Sequence, residues 1–372
     1  MNNLPSIYFN IQSRLFPMVE EEIGELTKKQ QEFLRIIELV KPSRFIGGAL
    51  SWCGLGRRLK DRENMLRAFF LKAVYNLPTT KMLIEILKGD STLRQLCGWE
   101  FSSQVPSEAT FSRAFKEFSV LNLGEEIHRV VVKENYEDKL VGHASMDSTA
   151  INGREKSCRK STPKKKCKPK KRGRKSKAEL AAMKEQEIAE VKTRRLELQP
   201  SRNLDDNLAD LPMGCDWGGK RNSKGKAEYW CGYKLHLTLA DGGVPLAAIL
   251  TSASPHDSQV AIPLMQTTSE RATILYDLAD SAYDASEIKH FSEALGRIPV
   301  IDPNKRRGAD AELDPAKKIR YCERSTVERG NSELKDNYGA RHVRVKGHWK
   351  VFTHLMFGVI ALTIKQLFNM LS

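Results

Sequence analysis

Three carboxylates and three neighbours carry the chemical signal of this 372-residue chain. Asp147 follows the apolar run from Leu140 to Met146, and Asp280 ends the run Leu275-Tyr276-Asp277-Leu278-Ala279. Both runs read as strands, which puts each carboxylate at a strand exit, where a hard cation can be bound at a sheet edge. Read singly, each Asp is equally a turn or cap residue. The third acid, Glu328, lies in a stretch that reads as one helix over 316–337, with Tyr321, Arg324 and Lys335 spaced around it. At ~100° per residue, Tyr321 falls ~20° to one side of Glu328, and Arg324 and Lys335 fall ~40° and ~20° to the other. The four form one narrow polar stripe. The plain alternative is a solvated face with an Arg324–Glu328 pair worth ~0.3–0.5 kcal/mol.

The elements that must position these groups follow from periodicity. Helical spacing covers 18–40, Arg62–Tyr75, about 79–88 and 91–97, and a helix after Pro106 with Ser107 as N-cap. Tyr233, Leu235, Leu237 and Leu239 alternate with Lys234, His236 and Thr238, which predicts a half-buried strand. Asp241-Gly242-Gly243 is a hairpin turn into a return strand, Val244–Leu250. Helix at Ser258–Met265, strand at Thr273–Leu278, helix at Ala285–Leu295 and strand at Ile298–Ile301 complete an α/β middle. The apolar stretch Val351–Ile364 spans 14 residues, short of the ~18–20 of a membrane span, so a buried C-terminal helix and no membrane partner are expected.

Composition bounds the partners. There are 61 Lys and Arg against 46 Asp and Glu, a net charge of +15, and 40% of residues are hydrophobic, enough for a sizeable core. Residues 154–177 hold 14 Lys and Arg against the single acid Glu155, a net +13, leaving +2 for the rest. This block reads as a solvated tract favouring a polyanion, with Lys170, Lys171, Arg172 and Arg174 as phosphate contacts. Arg172-Gly173-Arg174 is like the core of an AT-hook, with Lys175 where a proline usually stands. Beyond it, Lys177 to about Leu198 reads as a solvated helix. The seven cysteines are odd in number and lack any C-x-x-C, which favours reduced structural thiols over zinc binding by Cys158, Cys167, Cys215 and Cys231. A cytosolic protein with no signal peptide is expected.

Tyr321-x2-Arg324-x3-Glu328-x6-Lys335 resembles the Y-(2)-R-(3)-E-(6)-K motif of bacterial insertion-sequence transposases of the DDE class. Met146-Asp147-Ser148-Thr149 is similar to that family's first-Asp region, and Ala279-Asp280-Ser281-Ala282-Tyr283-Asp284 to its second. Trp217-Gly218 through Gly232-Tyr233-Lys234-Leu235-His236 resembles its strand pair, as does Pro255-His256-Asp257-Ser258 the stretch that follows. The helices from Met65 to Phe115 resemble the domain that often precedes the core.

The resemblance implies an α/β, ribonuclease H-like core, a mixed sheet flanked by helices, preceded by an all-α N-terminal domain and interrupted by a basic flexible insert. The expected division is 1–135 helical and DNA-binding, 136–153 with 216–350 catalytic, 154–215 insert and 351–372 C-terminal helix. It further implies Asp147, Asp280 and Glu328 as catalytic residues and ligands of two Mg²⁺ ions, with Mn²⁺ as a substitute. Arg324 and Lys335 would hold a phosphate, with Tyr321 beside them. The implied partners are double-stranded DNA, both terminal inverted repeats and target, and a second copy of the chain in the DNA complex, acting at the nucleoid in the cytoplasm. Asp277 and Asp284 are rivals of Asp280, and Asp216 and Asp257 are accessory acids. Two other readings stay open at this point: a non-enzymatic DNA-binding protein and a metal-dependent nuclease without strand transfer.

Overall fold

The computed structural model describes residues 4–47, 61–158, 194–221, 225–304 and 312–371. Lys170, Lys171, Arg172 and Arg174 lie outside the described residues, as do Cys167 and most of the 177–198 stretch.

The N-terminal region is all helical. It runs through α1 (Leu4–Asn10), α2 (Phe16–Ile23), α3 (Lys28–Val40), α4 (Arg62–Val74), α5 (Thr80–Gly89), α6 (Ser91–Leu96), α7 (Glu108–Val120) and α8 (Leu123–Tyr136). The expected 18–40 helix is two: Gly24 ends α2 at φ +85°, and a Thr27–Gln30 capping box restarts the chain as α3. Ser107 does precede α7, but its hydroxyl meets Thr110 Oγ1 at 3.1 Å and makes no backbone cap bond.

The sheet follows, with β1 (Leu140–Asn152), β2 (Asp216–Arg221), β3 (Ala227–Leu239), β4 (Pro245–Ser252), β5 (Thr273–Ala279) and β6 (Ile298–Ile301). Its order is β2-β3-β1-β5-β6, with β4 also on β3. β1, β2 and β4 pair with β3 antiparallel, whereas β1–β5 and β5–β6 are parallel. β3 serves β2 with Ala227–Gly232 and β4 with Tyr233–Leu239. Gly232 makes the changeover, because a Cβ there would lie 2.1 Å from the Ile151 carbonyl oxygen. The fold is ribonuclease H-like α/β preceded by a helical region, as expected.

Two helices of the described insert, α9 (Arg195–Leu198) and α10 (Leu204–Ala209), lie on α11 (Ser258–Ser269). Gln199 Nε2 donates to the Gln259 carbonyl at 2.7 Å and Asn207 Nδ2 to Gln266 Oε1 at 2.9 Å. Gln199 and Asn207 are fully buried, so this end of the insert is packed rather than solvated. Helix α12 (Ser286–Ala294) links the parallel strands β5 and β6.

Three further sequence expectations are corrected. Asp147 does not end its strand: β1 runs on to Asn152, held past Ser145 by β3 alone because β5 stops pairing there. The Tyr233–Leu239 strand is covered on both faces, with His236 and Thr238 buried as well. His236 Nε2 lies 3.0 Å from Thr251 Oγ1, whereas its Nδ1 is buried without a partner. The 316–337 helix is α13 (Pro315–Tyr321), a 3₁₀ turn over Cys322–Arg324, and α14 (Ser325–Asn337). The tighter 3₁₀ turn alters the angles assumed for Tyr321 and Arg324.

The C-terminal helix α15 (His348–Asn369) is long and apolar enough to cross a membrane, yet is almost wholly buried within the fold. It packs on α4, α7, α8 and β4 and so joins helical region to sheet. Phe357 stacks on Phe69 of α4 with ring centroids 5.8 Å apart. Each such buried side chain contributes ~1.5–3 kcal/mol.

Candidate active site

Asp147 lies in β1 just past the end of its parallel pairing with β5, and Asp280 lies just past the end of β5. Ser145 pairs with Leu278, and each acid lies two residues further along its own strand direction. Ser145 and Asp147 face the turn and helix beyond Tyr321. Ser145 Oγ donates to the Glu323 carbonyl at 3.4 Å, and Asp147 Oδ2 accepts from Asn331 Nδ2 at 3.0 Å. Asp280 is the N-cap of a short 3₁₀ turn and accepts from the Ala282 amide at 2.9 Å.

Burial pushes the Asp147 carboxyl up to about 6, and the negative charges of Asp280 and Asp257 add to the rise. Asp280 is raised too, mainly by burial, against the pull of the Ala282 amide and Arg324. Below them the Tyr283 hydroxyl is buried without a hydrogen-bond partner and is pushed well above its ordinary value. Asp257 behaves differently. Burial favours its neutral form, but His236 and Lys234 outweigh that and draw it down. Lys234 Nζ donates to Asp257 Oδ1 at 2.9 Å and to the Pro255 carbonyl at 2.8 Å.

The polar stripe is partly assembled. Arg324 lies over the Tyr321 ring, 5.6 Å from its centroid, and its field reaches Asp280 and Asp147. Lys335 is half-buried; burial and the nearby Lys220 and Arg341 lower it, while Asp147 acts the other way. Glu328 is not with the two aspartates. It is half exposed and ion-paired to Arg324. Among the described residues, no group of three or more His, Cys, Asp or Glu stands ready to hold a metal. In kind the donors suit a hard cation: two desolvated carboxylates lie beside a buried Asn331 whose Oδ1 has no partner. In number they are two, with Glu328 one ion pair away.

The rival acids have other occupations. Asp277 points under α12, where Ser292 Oγ donates at 2.7 Å and Arg297 Nη1 at 3.3 Å. Asp284 accepts from Lys289 Nζ at 2.6 Å and the Asn304 amide at 2.9 Å. Asp216 caps the Trp217 amide at 2.8 Å.

Sequence reasoning missed Asn331 and Lys220. Asn331 sits three residues after Glu328, within ~60° on the same helix face, and that spacing was the available signal. Gly330, between them, lets α14 lie against β3, since a Cβ there would be 2.3 Å from Leu239 Cδ2.

Comparison with known families agrees with this geometry. The family described as Transposase DDE domain matches residues 142–364, more than half of the chain. A second, Transposase domain (DUF772), matches 21–117 in the helical region. No curated protein and no solved structure matches the chain. With the paired aspartates, the ribonuclease H-like sheet and these two matches, the chain belongs to the DDE transposases of insertion-sequence type, a class that binds DNA, cleaves it and transfers strands.

Proposed function

We propose that this chain cuts insertion-sequence ends and joins them to target DNA by two-metal phosphoryl transfer, with Asp147, Asp280 and Glu328 as the ligand triad. The observation that carries the reading is the desolvated pair Asp147 and Asp280, each two residues beyond the last β1–β5 rung and each made harder to ionise by its surroundings. A site that resists its own charge is one a divalent cation stabilises. When bound, two Mg²⁺ ions (or Mn²⁺) supply activation of the attacking water or 3′-OH and charge stabilisation at the leaving oxygen.

The chain's own residues do the rest. Asn331 orients Asp147 by donating to its Oδ2. Arg324 and Lys335 bind a phosphate, and the Tyr321 ring supports the Arg324 guanidinium. Arg324 is engaged by Glu328 in the DNA-free chain. That pair is partly exposed and at i,i+4 spacing, so separating it costs only ~0.3–0.5 kcal/mol. A DNA phosphate arriving at Arg324 displaces Glu328, which is then free to turn to the aspartates. Residues 1–135 and the block with Lys170, Lys171, Arg172 and Arg174 hold double-stranded DNA, and two copies act together on paired ends in the nucleoid.

The test is an assay of nicking and joining on a duplex carrying the element's terminal repeat, with Mg²⁺ and with EDTA. The reading requires both products with Mg²⁺ and neither with EDTA. Binding without cleavage even in Mg²⁺ would return the chain to an architectural role, and nicking without joining to a nuclease.

A further inference from the structure

An open polar groove of about 950 Å³ runs beside Asp280. Ser281, Ala282, Asn304 and His256 line it, together with Lys220 of β2 and Tyr229 of β3. Tyr229 is 75% exposed, a large ring left in water where burial would have stabilised the fold. The strand register sets Gly219 opposite Tyr229. A Cβ at Gly219 would stand 2.9 Å from Tyr229 Cδ1, so only the bare glycine lets the ring lie across the neighbouring strand. Lys220 follows on β2 and is near enough to Lys335 to weaken the hold of that ammonium on its proton. The groove thus joins an aromatic surface, the Lys220 cation and a proposed catalytic carboxylate.

We propose that this groove binds an unpaired nucleotide of a DNA strand end, its base stacked on Tyr229 and its phosphate on Lys220. A paired, internal base has both faces covered by its neighbours and offers nothing to a ring on a ledge. A base at a frayed or cut end has a free face, and stacking on an aromatic contributes ~1–3 kcal/mol whatever its identity. The inference rests on the reading that DNA is cut at Asp147 and Asp280, since that reaction creates strand ends next to the groove.

The experiment uses the full chain with two probes of the same duplex sequence, one blunt and one with a short oligo(dT) extension carrying terminal 2-aminopurine. Wild type is expected to bind the extended duplex more tightly and to quench the 2-aminopurine. Tyr229→Ala should lose the quenching and about tenfold in affinity for the extended probe only. Tyr229→Trp should keep both, which controls for folding. Lys220→Ala should lower the salt slope by about one phosphate contact. Equal quenching and affinity in Tyr229→Ala, or no preference of wild type for the extension while duplex binding persists, overturns the ledge alone. Failure of wild type to bind either probe overturns the DNA reading beneath it.

Discussion

Asp277 and Asp280 sit three residues apart and have opposite surroundings. Asp277 is buried against Arg297 and Ser292, and Asp280 opens on the groove. Asp277→Ala therefore leaves Arg297 buried and unpaired, and urea denaturation should show a loss of about 3–5 kcal/mol. Asp280→Ala should unfold within about 1 kcal/mol of wild type and yet not cleave. The reverse pattern would exchange their roles. Asn331→Ala removes the one side-chain donor seen on Asp147. Titrating cleavage with Mg²⁺ should show a rate about 10–100-fold lower and a higher Mg²⁺ requirement, as for outer partners of metal ligands generally. An unchanged Mg²⁺ curve would make Asn331 a packing residue. The sequence favoured Asp280 over Asp277 because the apolar run of β5 includes Asp277 and ends before Asp280. Asn331 was legible only as a helix-face neighbour of Glu328, since its partner Asp147 on β1 is remote in sequence.

The site hangs on elements that end or bend at chosen places. β1 outruns β5, so Asp147 stands where one side of the strand loses its partner. The sequence placed Asp147 at that edge for the wrong reason, as a strand end. The residues beyond it pair only with β3, some eighty positions away, and no local pattern announces such a partner. The hairpin into β4 and the parallel strands β5 and β6 were legible, because turn glycines and apolar runs are local signals. Double burial of β3 was not, because Lys234, His236 and Thr238 look like a wet face. Helix α14 brings Asn331 to Asp147 with Gly330 packed against Leu239. Gly330→Ala should overpack that contact, cost about 1–3 kcal/mol by thermal or urea unfolding, and slow cleavage in the folded fraction. Wild-type stability and rate together would show that the helix has room to spare.

Across the whole molecule, α15 is the common core of the helical region and the sheet, and it carries a titratable load. Burial holds His354 down to about 3, helped by Lys72, and holds His128 of α8 down to about 3, helped by Arg271. A histidine depressed in the folded state contributes fully above its unfolded value of about 6.5 and loses that contribution as pH falls below it. The stability margin of wild type over His354→Gln should thus shrink by about 1.4 kcal/mol per pH unit below 6.5. Asp147, whose raised value works in the opposite direction, is common to both proteins and cancels. A margin constant from pH 7.5 to 5.5 would mean that His354 is not held neutral. The net charge of +15 belongs mostly to residues 154–177 and says what the chain meets rather than what it does there. The proposed chemistry rests on Asp147, Asp280 and Glu328, and one measurement tests that most directly. It is single-turnover nicking and joining of terminal-repeat DNA with Mg²⁺ by wild type and by the three single Ala variants, each first shown to fold and to bind the DNA. The account predicts both products from wild type and a loss of at least about a thousandfold in every variant. Joining at the wild-type rate by any one of the three would contradict it.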